Sequence, residues 1–111
     1  METKNPNKTI DHSDMEIVNV IIQKAVTASG YSQEQILSES RIRPLPAIRW
    51  MIGDKLMSLG FSSMKVSKIL NIDHATLLYG RKQITDITAR NGWREEIEIL
   101  SIFKELCKSI N

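Results

Sequence analysis

Helix start and stop signals recur along the chain at short intervals, with apolar residues at helical spacing between them and almost no period-two alternation. That pattern predicts an all-α fold of short helices. "SDME" (Ser13 to Glu16) has the form of a capping box; Val18, Ile21, Ile22, Ala25 and Val26 follow, and Gly30 stands where a helix-ending glycine belongs. "SQEQ" (Ser32 to Gln35) opens a second, shorter helix carrying Ile36 and Leu37. In "SRIRPLPAIRW", Pro44 and Pro46 predict an extended segment, with Pro46 at the first position of a new helix. Ile48, Met51, Ile52, Leu56 and Leu59 share one face of that helix, which should end at Gly60 and form the centre of the core.

Ser62 or Ser63 can cap "MKVSKIL", and Asn71, which tolerates the left-handed conformation, can close it. Asp73 can then cap "HATLLYGRKQI" after a very short turn. Two short helices so joined, the second opening with small polar residues and leading to Arg81 and Lys82, form a helix-turn-helix pattern. Its period turns Leu77 and Leu78 inward. "RNGW" breaks the chain at Asn91 and Gly92, after which Trp93, Ile97, Leu100, Phe103, Leu106 and Ile110 form the stripe of a last helix. That stripe either covers the core, the preferred reading, or pairs two copies of the chain as a homodimer.

At 111 residues, with 41% hydrophobic and 25% charged residues, the chain has the size and composition of one folding domain. Cys107 is the single cysteine and His12 and His74 the only histidines, so neither an intrachain disulfide nor a zinc spacing is available. No apolar run reaches membrane-spanning length and the first residues lack a secretory signal's apolar region, which makes a cytoplasmic protein the expectation. No phosphate-binding loop of the Gly-x-x-x-x-Gly-Lys-Ser/Thr type and no nucleophile–base arrangement is present, so neither an enzyme nor a cofactor is expected. Charge is unevenly spread. Residues 38–90 carry nine basic against four acidic side chains, a net of +5, while residues 1–37 carry −2 and residues 91–111 carry −1. A basic middle between acidic flanks is what a phosphate-facing surface leaves in a sequence, although a solvated charged face leaves it equally well.

From about Ile21 to Ile84 the chain resembles the C-terminal DNA-binding domain (domain IV) of the bacterial replication initiator DnaA, a helical fold of the Trp-repressor-like kind. In that family an arginine-rich loop precedes the central helix, and the helix-turn-helix ends in a signature of the form G-R-D-H-T-T-V-L-H-A followed by R-K-I. Here the loop is "SESRIRPLPAIRW" and the signature position reads "NIDHATLLYGRKQI". The resemblance implies that Arg41 enters a minor groove, that Arg49 on the central helix meets phosphate, that Asp73 and His74 approach base edges in the major groove, and that Thr76 holds a phosphate. Arg43, Ser63, Met64, Lys65, Lys68, Ala75, Arg81 and Lys82 complete the expected DNA-facing set. Ala75 stands for the family's first threonine, Asn71-Ile72 for its Gly-Gly-Arg or Gly-Arg, and Ser63-Met64 for an apolar-proline pair that touches thymine methyls.

Plainer uses exist for the same residues. Asp73 is a cap before it is a contact, Arg41 and Arg43 can be loop charges, and Lys65 and Lys68 a solvated face. Trp50, Trp93, Met51, Met57 and Met64 fit the core. The sequence therefore predicts a flexible tail over 1–12, a helix-turn-helix domain over 13–90 and a C-terminal helix over 91–111. The predicted function is sequence-selective double-stranded DNA binding by a regulator or accessory factor without ATPase activity. The rival is a protein–protein adaptor that kept the fold, which the departures at Ala75 and Ser63-Met64 favour.

Overall fold

Ile48, Met51, Ile52 and Leu56 are buried along one helix, α3 (Leu45–Ser58), and every other element packs around it. The computed structural model describes residues 12–89 and 94–110, with side-chain surroundings for 14–86 and 94–110. Among the described residues the chain is all α. Helix α1 (His12–Ser29) lays Val18, Ile21, Ile22 and Ala25 against the core and ends at Gly30, whose φ of 81° is open to glycine. The helix has already begun at His12, so Ser13 lies inside its first turn and is not the predicted cap. Residues 1–11 of the predicted tail, Arg90, and the "RNGW" break with Trp93 lie outside the described residues.

Ser32 caps α2 (Gln33–Ile36) reciprocally: its hydroxyl accepts from the Gln35 N–H at 3.1 Å while the Gln35 side chain accepts from the Ser32 N–H at 3.0 Å. The segment before α3 is less extended than predicted. Pro44 sits at the cap position of α3 and Pro46 in its first turn, where a missing N–H costs nothing, and the Leu45 N–H donates to the Ile42 carbonyl at 2.9 Å to close a turn. Helix α4 (Ser63–Leu70) is capped by Ser62, which accepts from the Lys65 N–H at 3.2 Å, and ends on Asn71 in the left-handed region (φ 56°, ψ 46°). The next helix, α5 (His74–Ala89), follows at once, so α4 and α5 form the predicted helix-turn-helix pair.

Where α3 crosses α5, two glycines set the approach. A Cβ at Gly53 would stand 2.7 Å from Leu77 Cδ1, and one at Gly80 would run into the Trp50 indole. Trp50, half-buried, is thus a wall of the α3–α5 interface, packed edge-to-face on Tyr79 with ring centroids 5.8 Å apart. The inward face of α5 is Leu77, Gly80 and Ile84; Leu78, predicted to turn inward, is exposed, because its neighbour Leu77 already occupies the core side.

Helix α6 (Arg94–Leu106) packs on α1 and α3, so its apolar side covers the core of its own chain. The covered face is turned from the predicted stripe. Glu96, Ile99, Leu100, Phe103 and Cys107 are buried, while Ile97, Leu106 and Ile110 are half-buried at its margin. Burial pushes the Cys107 thiol above its ordinary pKa. Among the described residues no helix is long and apolar enough to cross a membrane, and no group of His, Cys, Asp and Glu converges as a metal-binding set.

Candidate nucleic-acid interface

The first turn of α5 faces solvent. Asp73 Oδ1 accepts from the Thr76 N–H at 3.0 Å, and the Thr76 hydroxyl donates to Oδ2 at 3.2 Å. These two bonds, the side-chain one first, hold the Asp73 carboxyl below the ordinary carboxylate range. Asp73 is therefore the cap the sequence predicts, and capping orients the three exposed residues behind it, His74, Ala75 and Thr76. The His74 imidazole is pinned from the side by Ser63, with Oγ 2.7 Å from Nε2, which ties the start of α4 to the start of α5. Met64, predicted either to pack or to touch DNA, is 66% exposed beside them, so the packing reading fails.

Across an open groove of about 690 Å³ lies the loop of residues 38–44. Arg41 and Glu39 from the loop, Asp73, Thr76 and Tyr79 from the α5 side, and Trp50 at the floor line that groove. Arg41 is exposed, as predicted.

Arg49 is not where the resemblance implies. It is 5% exposed, and its guanidinium donates to the carbonyls of Ile36 and Ser38 at 3.0 and 2.9 Å and to that of Ser40. Burial lowers its pKa from the ordinary arginine value, yet an arginine stays protonated in a protein and its fork of donors suits converging carbonyls. Three of its five N–H donors are so engaged, and although it borders the groove it serves as the internal strut of the loop.

The other cations divide in the same way. Arg43 grips buried Glu96 of α6 through two bonds of 3.0 and 2.9 Å, which raises the Arg43 pKa further. Arg81 meets Asp54 of α3 at 2.8 Å and Lys65 meets Asp14 of α1 at 3.6 Å. These three are half-committed to the fold and correct the expectation of a uniformly DNA-facing set. Lys68 and Lys82 are exposed.

Tyr79 and Ser38 line this groove, Ser40 and Ile42 complete the loop beside it, and none of the four was foreseen. The signal in the sequence was the Ser-x-Ser spacing ahead of Arg41, since a serine hydroxyl accepts from the N–H two residues on: Ser38 Oγ takes the Ser40 N–H and Ser40 Oγ the Ile42 N–H, each at 3.2 Å. Comparison of the chain with protein-family models, with curated proteins and with solved structures gives no match.

Proposed function

We propose that the chain binds double-stranded DNA, with the first turn of α5 in the major groove and the 38–44 loop at the neighbouring minor groove. The observation that carries this reading is the exposed turn His74, Ala75 and Thr76, oriented by the Asp73 cap and the Ser63 contact, standing across a groove from exposed Arg41. A duplex alternates wide and narrow grooves separated by phosphate ridges; a helix end fits the first, a narrow loop the second, and a concavity between them receives the ridge. The resemblance to the initiator's DNA-binding domain points the same way. With no ATPase loop in the sequence, the role proposed is that of a regulator or accessory factor.

The adaptor reading draws on a separate observation. Arg49 is buried and Arg43, Lys65 and Arg81 are ion-paired within the chain, while Met64, Leu78 and Tyr79 stay exposed, a balance that also suits a protein partner. A titration with labelled duplex at two salt concentrations separates the two. Arg41, Lys68 and Lys82 are the cations with the freest access to phosphate, so log K should fall against log salt with a slope of about −2.7, from about −0.9 for each of three phosphates. Absence of binding, or binding indifferent to salt, removes the DNA reading and leaves the adaptor.

A further inference from the structure

Ile42 is the most exposed large hydrophobic among the described residues, 74% open at the tip of the 38–44 loop. A lone exposed isoleucine is ordinary on a protein surface. What distinguishes this one is that the loop holds it out. Its N–H is taken by the Ser40 hydroxyl at 3.2 Å and its carbonyl by the Leu45 N–H at 2.9 Å. On one side the buried Arg49 fork gathers the carbonyls of Ile36, Ser38 and Ser40; on the other, Arg43 is clamped on Glu96. The isoleucine cannot fold back on the core without breaking this set. Its β-branched side chain also has few rotamers to lose on being buried by a partner.

The chemistry around it selects the partner. Exposed Arg41 precedes the isoleucine and Arg43, paired with Glu96, follows it, so the loop offers an apolar point beside an exposed cation, which suits a polyanion with an apolar interior: base pairs stacked behind a phosphate wall. Arg41 lines the groove that faces α5, whereas Ile42 does not, so the arginine lies on the ridge side and the isoleucine at the free end of the loop. Resting on the DNA reading above, we propose that Ile42 is a wedge that enters the minor groove between two base pairs and bends the duplex. Apolar side chains inserted in this way partly unstack a step and kink the helix by about 20–90°, most readily at flexible TA and CA steps. The braced loop makes such insertion feasible, since no ordering cost is left to meet on binding.

The test uses the full chain and a mixed-sequence duplex of about three helical turns containing TA steps, labelled at both ends, so that anisotropy reads binding and energy transfer reads end-to-end distance in one titration. The wild type and I42L should shorten the end-to-end distance, while I42A should bind about tenfold more weakly and leave the duplex nearly straight. Since Ile42 is exposed, circular dichroism of I42A should match the wild type. A wild type that binds without bending, or an I42A variant that binds and bends like it, overturns the wedge and leaves DNA binding standing. No binding by any of the three overturns the DNA reading, and the wedge falls with it.

Discussion

Replacing Arg49 with methionine should cost about 3 kcal/mol in urea unfolding, because three carbonyls, that of Ile36 buried and those of Ser38 and Ser40 partly so, would lose a charged donor. His74→Ala should behave differently. The imidazole is exposed, so stability should hold, while affinity for a preferred site should fall by about 1–3 kcal/mol with little change on random duplex, as anisotropy on both probes would record. Equal losses on the two probes would mean that α5 does not read bases. Asp73 adds a pH signature. Its folded carboxyl has a lowered pKa, so its contribution is present above the unfolded value and is lost as pH falls through the folded one. Melting curves of wild type and Asp73→Asn should accordingly lie apart at neutral pH and converge in acid below the ordinary carboxylate range. The helix N-terminus favours the anion, which is why the gap should lie in the wild type's favour.

Between helices, the α3–α5 crossing depends on hydrogen atoms where other residues carry a Cβ. Gly80→Ala must displace the rigid Trp50 ring, itself held against Tyr79, and should destabilise by about 1–3 kcal/mol even after the roughly 1 kcal/mol that alanine gains in a helix. At Gly53 the obstacle is the end of the flexible Leu77 side chain, so Gly53→Ala should cost clearly less. Chemical denaturation of the two variants fixes the order, and the reverse order would mean that Trp50 yields more easily than Leu77. Since this interface positions the first turn of α5 against α3, a Gly80 variant that folds should also bind duplex more weakly than its stability alone explains.

Much of the charge in the basic middle of the sequence is answered within the molecule. Glu96, Asp54 and Asp14 come from three different helices to meet Arg43, Arg81 and Lys65. The partly exposed Arg81–Asp54 and Lys65–Asp14 pairs add little stability, whereas the bidentate Arg43–Glu96 pair satisfies a buried carboxylate and fixes the end of the loop. The apolar face of α6 is covered by α1 and α3, which removes the main reason for two copies to associate, although Met15, Ile17, Val20 and Ile102 are exposed. Light scattering at micromolar concentration should therefore find a monomer, alone and on DNA. A dimer would assign those residues to an interface.

What was legible in the amino-acid order is what neighbouring residues decide between themselves. Ser32, Ser62 and Asp73 cap the helices that follow because a side-chain oxygen reaches an N–H three residues on, and Gly60 and Asn71 end helices because they accept positive φ. From such signals the all-α class, the central helix and the short turn before α5 follow directly. The fates of Arg49, Arg43 and Glu96 do not. An arginine in a helix looks the same in sequence whether it meets phosphate or three carbonyls, and the partner of buried Glu96 is Arg43, 53 positions earlier. Gly80 was likewise decided by Trp50 on another helix, through close packing that leaves no room for a Cβ there. Caps depend on contacts a few residues long; the aim of a charge and the depth of a glycine depend on which distant surfaces the fold brings together.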